Sequence, residues 1–396
     1  MTRVFVIIGV VSAASPAQGG GFAVSEQSTV AGGTAGASTA RDQDPGAAWY
    51  NPAALADGKG VRFGLGALAA VPTLRAEGLD GSWAAESEPD VSTPPHLNAS
   101  LSRGSWAAGL AIGVPFGSGV TWPKDWEGRH EILSSRLIVF RASPFAAARL
   151  GRLRLAAGFH ADYGSLQLAR TLDFVDADGD VRISLSDFAV GAHASAFYRA
   201  APEVDVGLTY KSRTTLTMTG GADFTAPAAF SAKIADQNAT VKMTMPDRLV
   251  AGARWHRGQW AALADLELTL WRVNDEIVID FENDTTPDVV QRSDWSSTVA
   301  LRAGVEYAPA ALWVVRAGAF YDPSPASADT LAPSSPDSDR IGASVGGSRD
   351  LGSGFAVDAF YELLHLRARD SENMEALDAR YGGRAHLFGL GVRYAR

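Results

Sequence analysis

From Gly60 onward, hydrophobic positions recur every second residue. In QWAALADLELTLW, Ala262, Ala264, Leu266, Leu268 and Leu270 share one face, with Asp265, Glu267 and Thr269 on the other. In TVALRAGVEY, Val299, Leu301, Ala303, Val305 and Tyr307 oppose Arg302 and Glu306. In FAVDAFYELL, Phe355, Val357, Ala359, Tyr361 and Leu363 oppose Asp358 and Glu362. This period predicts strands with one apolar and one polar face. Fourteen candidates follow, near 60–71, 96–103, 106–114, 136–149, 152–170, 182–200, 203–220, 238–256, 259–281, 295–308, 311–321, 339–348, 354–370 and 384–394.

A sandwich strand alternates in the same way, so the connections carry the distinction. Tight turns at 102–105, Gly151, 200–202, 257–258 and 309–310 alternate with long, polar or Pro-rich links at 72–95, 115–135, 221–237, 282–294, 322–338 and 371–383. Links sort by parity when successive ones fall on opposite sides of a bilayer. An even strand number with this sorting predicts an all-β fold, a transmembrane antiparallel barrel. Closure leaves no sheet edge for lipid to leave unpaired. Apolar faces then meet lipid and charged faces the lumen. Trp255, Trp260, Trp271, Tyr307, Trp313 and Tyr321, near strand ends, suit interfacial girdles.

Composition adds the compartment. The net charge of −9 provides no basic surface for nucleic acid, and there is no Cys. Arg3, the apolar run Val4–Val11 and small residues up to Ala17 read as a signal peptide over 1–17. No later segment has the ~18 apolar residues of a membrane helix. Residues 60–396 then form the barrel, wide enough at this strand number to keep a lumen. Residues 18–59, small and flexible in composition, are expected to plug it. Pro52 pushes Asn51 out of helical geometry, which suits a bend from plug into first strand.

GGFAVSEQS (20–28), NPAAL (51–55), MPDRLVAGARW (245–255), FYDPSPASADTLAPSSPDSDR (320–340) and RAHLFGLGVRYAR (384–396) occur in order along the mature chain. Together they resemble the FadL-like family of long-chain fatty acid outer-membrane transporters. The resemblance implies a fourteen-stranded barrel with an N-terminal hatch that imports fatty acids or aromatic hydrocarbons. It implies lateral release through a gap made by a kink in the third strand. GVPFGSG is the matching stretch, with Gly113, Pro115, Phe116, Gly117 and Gly119; Pro and Gly there interrupt a ladder, unless Pro115 simply begins the outer loop. Phe22 matches the family's N-terminal residue at an internal apolar pocket, or is an aromatic that packs the plug. Phe224, Pro227, Ala228, Ala229 and Phe230 match the outer capture groove, or a loop packed on its neighbours. Arg254, Arg302 and Arg316 fall on the lumen face, where they can hold an acid headgroup or pair with Asp265, Glu267, Glu306 and Asp358.

Two features depart from the family pattern. The link after strand five, TLDFVDADGDVR, is short, so the outer groove should be smaller. The last residue is Arg396, where outer-membrane barrels usually carry Phe. DADGD (176–180) lacks the Gly and flanking helices of a calcium loop. The seven His lack metal-ligand spacing, and no nucleophile elbow occurs. The expectation is a monomeric, non-enzymatic outer-membrane transporter without cofactor or metal. Its partners are a hydrophobic small molecule, membrane lipid and the outer-membrane assembly machinery. Long-chain fatty acids are the favoured substrate; neutral hydrocarbons, or else an aqueous porin or adhesive barrel, are the alternatives.

Overall fold

A computed structural model describes residues 20–42, 44–174, 177–228, 234–284, 286–373 and 377–396. The expected signal peptide, Ala229 and Phe230 lie outside them. Fourteen antiparallel strands close on themselves. They are β1 (Lys59–Gly78), β2 (Pro95–Arg103), β3 (Trp106–Thr121), β4 (Ser134–Leu150), β5 (Leu153–Asp173) and β6 (Asp178–Ala201). Then come β7 (Val204–Lys211 and Thr214–Thr225), β8 (Gln237–Met245 and Arg248–Arg257), β9 (Trp260–Thr269 and Glu276–Phe281) and β10 (Val289–Arg292 and Thr298–Ala310). The last four are β11 (Trp313–Asp322), β12 (Arg340–Gly352), β13 (Phe355–Asp370) and β14 (Ala379–Ala395). The closing ladder between β1 and β14 runs from Arg62–Ala395 to Gly78–Ala379. Among the described residues no helix is long and apolar enough to cross a membrane.

Alternation decides what each face meets. On β9, Leu266 is 47% exposed toward the lipid side, while Leu263, Asp265 and Glu267 are buried inside. The strands extend further on the long-loop side than their hydrophobic runs indicate: β1 continues to Gly78 and β3 to Thr121. Four neighbouring strands, β7 to β10, are broken. Pro246 has no N–H to give the ladder at the β8 break. Asp247 replaces the lost bonds, accepting the Tyr210 hydroxyl at 2.6 Å, the Arg213 amide at 3.1 Å and Arg213 Nε at 2.7 Å. At the β9 break the Asn274 side chain bonds both backbone groups of Thr244. Trp271 sits in that break as part of a 3-10 turn and is 1% exposed. It is not a girdle residue: once its strand breaks, its ring turns inward.

The described residues between 20 and 58 lie inside the barrel and are almost wholly buried. They form two single-turn helices, α1 (Thr29–Gly32) and α2 (Ala47–Tyr50), and a 3-10 turn, Pro52–Asp57. Small residues permit the close fit: a Cβ on Gly318 of β11 would overlap the backbone of Thr34. Polar groups of the lumen wall hold the segment. Asp265 accepts the amides of Ser38 and Thr39 at 2.8 and 2.9 Å, and Arg41 meets Glu306 at 2.5 Å. Asn51, at φ −158°, donates from Nδ2 to the carbonyls of Thr39 and Ala196. The NPA turn therefore ties the interior segment to β6.

Candidate functional site

The lumen is divided by chemistry. In its inner half many inward residues are charged or polar, as at Arg141, whose Nε and Nη2 each lie 2.7 Å from Asp162. In the outer half the same alternation presents apolar side chains. Leu166 and Leu168 of β5 face inward beside Leu185 and Ile183 of β6, to which the ladder registers them, and Leu172 and Val181 extend the two inward rows. The result is an outer cavity of about 1280 Å³. Leu168, Leu172, Val181, Ile183, Ile279 and Phe281 form much of its wall. Phe224 lines it too, its ring 5.8 Å from that of Phe281.

One cation interrupts the apolar stripe. Arg170 occupies the position between Leu168 and Leu172, lines the cavity and is half-buried. Among the described residues it has no hydrogen-bond or ion-pair partner. The other lining arginine, Arg292, is paired with Asp294 at 2.6 Å. Sequence reasoning passed over Arg170. Its signal was present in LQLARTL, where a period of two leucines is broken by a single Arg.

A smaller pocket of about 80 Å³ continues inward, sharing Leu168, Ile279 and Val289 with the cavity. Phe22, Leu137, Leu166, Met243, Ile277 and Trp295 belong to its apolar lining, and among the described residues no charged side chain borders it. Phe22 forms its floor. That ring lies 4.7 Å from Trp295 and 5.5 Å edge-on to Trp271, and Trp271 in turn lies 6.1 Å from Phe116 on β3. The broken strands β9 and β10 deliver both tryptophans to this point.

On the wall side of Phe22, β3 is irregular. Its ladder with β4 runs to Gly113–Arg141 and resumes at Phe116–Val139, so Val114 and Pro115 bulge. Gly117 and Gly119 stay in regular register with Ile138 and Arg136. The ladder between β2 and β3 stops at Leu97–Ile112. The interior segment takes up the freed backbone. Val24 donates to the Pro115 carbonyl at 2.9 Å and Gly117 donates to the Phe22 carbonyl at 2.8 Å. Gln27 Nε2 donates to the Val114 carbonyl at 2.6 Å, and its Oε1 accepts the Val114 amide at 2.9 Å. A Cβ on Gly113 would overlap Gln27 Oε1, so this approach requires glycine.

The start of the segment is anchored from the loop between β11 and β12. Asp337 accepts the Ser324 hydroxyl at 2.6 Å and the Gly21 amide at 3.4 Å. Burial pushes its carboxyl up to about 6. The three arginines singled out from the sequence lie in the charged half. Arg254 meets Asp42 at 3.3 Å, Arg302 meets Asp322 at 3.4 Å and Glu267 at 3.7 Å, and Arg316 meets Glu306 at 2.7 Å. None of the three borders the outer cavity or the pocket below it.

A family model for outer membrane protein transport proteins (OMPP1/FadL/TodX) matches residues 10–395. The chain belongs to this family. It is an outer-membrane barrel that transports hydrophobic substrates, and family members are channels, not enzymes. A putative outer membrane protein of Neisseria meningitidis serogroup B is 25% identical over 463 residues, covering 100% of this chain and 98% of the relative. A long-chain fatty acid transport protein of Escherichia coli is 25% identical over 166 residues, covering 41% and 37%. The crystal structure of a Pseudomonas aeruginosa FadL homologue superposes with a TM-score of 0.85 at 18% identity, covering 94% of this chain and 99% of that one. This last likeness establishes the shared fold.

Proposed function

We propose that this family member takes up long-chain carboxylic acids without an energy source of its own. The acid enters the outer cavity and rests its carboxylate on Arg170. Its chain passes into the pocket above Phe22. Residues 20–58 act as the plug: a shift of Phe22 opens the floor, and the ligand leaves sideways beside the Val114–Pro115 bulge into the bilayer. The driving force is partition of the apolar chain into lipid. A plug shift releases ligand only if the ligand binds the two plug positions with different affinity.

The observation that carries the substrate assignment is Arg170. A half-buried guanidinium between Leu168 and Leu172, with no carboxylate partner among the described residues, gains charge-assisted hydrogen bonds from an incoming acid. The relative described as a long-chain fatty acid transport protein agrees with this reading. A neutral hydrocarbon is the second reading, favoured by the uncharged lining of the inner pocket.

Equilibrium binding of a fluorescent C16 acid and of its methyl ester to the purified protein separates the two. Arg170→Gln should weaken the acid about ten-fold or more and leave the ester unchanged. Equal binding of acid and ester by the unaltered protein would reject the acid assignment and leave the transport route standing.

A further inference from the structure

The seam where β1 meets β14 and β2 carries an outward-facing group of cations that the transport route does not use. Lys59 on β1 is registered directly opposite Arg103 on β2. Arg396 follows β14, and its backbone exchanges both hydrogen bonds with Val61. The lumen-facing residues here are Arg62 and Ser102, both buried, so Lys59, Val61, Leu101 and Arg103 point out of the barrel. Arg396 continues the outward series Leu390, Val392 of β14. Among the described residues, none of the three cations has a carboxylate or hydrogen-bond partner for its side chain.

This arrangement is unfavourable by itself. Directly opposed side chains on neighbouring strands have Cβ atoms ~5 Å apart, and like charges there repel. The nearby carboxylate Asp57 is already bound by Arg149 and Arg154. The surroundings say what completes the patch. Trp106, 45% exposed, adjoins Arg103 across the tight turn, and exposed Val61 and Leu65 continue along β1 into the lipid-facing wall. The patch lies at the short-turn end, which faces the periplasm in barrels of this class. Cations beside an aromatic, with apolar side chains on the bilayer side, match a phosphate headgroup attached to acyl chains.

We propose that Lys59, Arg103 and Arg396 form a binding site for the phosphate of an anionic phospholipid in the inner leaflet of the outer membrane. The headgroup bridges three cations on β1, β2 and β14, and so screens their repulsion at the barrel's closing seam.

The test is native mass spectrometry of the full protein released from mixed phosphatidylglycerol and phosphatidylcholine nanodiscs. Phosphatidylglycerol adducts should dominate, and each cation removed should lower that preference about five-fold. Lys59→Gln with Arg103→Gln is the informative pair. Arg257→Gln, at the same end but beside Glu203, is the control and should change nothing. If the pair does not fold, Arg103→Gln alone and the salt dependence of the unaltered protein read the same interaction. Equal retention of the two lipids, or a preference unchanged in the variants, overturns the site. Displacement by glycerol phosphate at concentrations comparable to the lipid would mean a free-anion site and overturn the lipid assignment.

Discussion

The side chain of Gln27 occupies the place of a missing strand beside Val114, satisfying both the amide and the carbonyl of that residue. The backbone groups freed at the β3 bulge are therefore satisfied by the interior segment and not by a neighbouring strand. Gln27→Ala would leave a buried donor and a buried acceptor unpaired, at about 1–3 kcal/mol each. Amide exchange at Val114 should accelerate roughly ten-fold or more. Unchanged exchange at Val114 would show that the wall holds the bulge without the plug.

Phe22 lines the inner pocket, bonds through its backbone to Gly117 beside the bulge, and packs on Trp271 and Trp295. Phe22→Ala removes contacts worth about 3–5 kcal/mol in a packed core. Dissociation of a bound C16 acid should speed up by roughly ten-fold or more, with its association little changed. A stopped-flow displacement experiment reads both rates. An unaltered dissociation rate would argue that ligand leaves without passing Phe22.

The Arg141–Asp162 pair is buried on both sides and also receives the Thr214 hydroxyl at 2.6 Å. Asp162→Ala strands a buried guanidinium and should cost about 3–5 kcal/mol. Arg141→Met with Asp162→Leu removes both charges and should cost less than Asp162→Ala alone. The urea midpoint for loss of the compact band on unheated gels ranks the two variants. The reverse ranking would mean the pair stabilises the barrel outright.

Asp337 links pH to the plug's anchor. Its carboxyl is raised to about 6 from an ordinary 3.8, chiefly by burial, with Arg340 opposing and Asp322 reinforcing the rise. The folded protein therefore holds this proton more tightly than the unfolded chain. The associated stability is complete below the unfolded value and is lost as pH rises through about 6. Asp337→Asn should flatten that part of the profile, a difference of up to roughly 3 kcal/mol between pH 4 and pH 7. Thermal melts of both proteins over that range provide the comparison; parallel curves would exclude Asp337 as the source.

Alternation at Leu266, Leu301 and Val357 made the wall legible from the sequence, because a strand spanning a bilayer must put apolar side chains outward at every second position. Parity of the links made closure legible, and NPA marked the turn before β1. The site was less so. The outer halves of β5 and β6 alternate as well, with Leu166, Leu168, Ile183 and Leu185 on one face and Ser165, Gln167, Arg182 and Ser184 on the other, and a period of two cannot say which face lines a cavity. Trp271 read as a girdle residue because its strand looks continuous in sequence. Only the break around Pro246, Asp247 and Asn274, made by contacts between different strands, turns its ring inward. Arg302 and Arg316 were placed on the lumen face by alternation, but their carboxylate partners come from residues closed into one layer by the fold.

The sequence by itself determined the strands, their number and the lipid-facing surface, because those depend on local periodicity and on the absence of water in the bilayer. Only the tertiary structure decided which inward residues share a space. Arg170 has no partner among the described residues while Arg302 and Arg316 are paired, and Gln27 meets Val114 across 87 residues of chain. Those relations depend on ring closure and on the register of the plug, which no local pattern encodes.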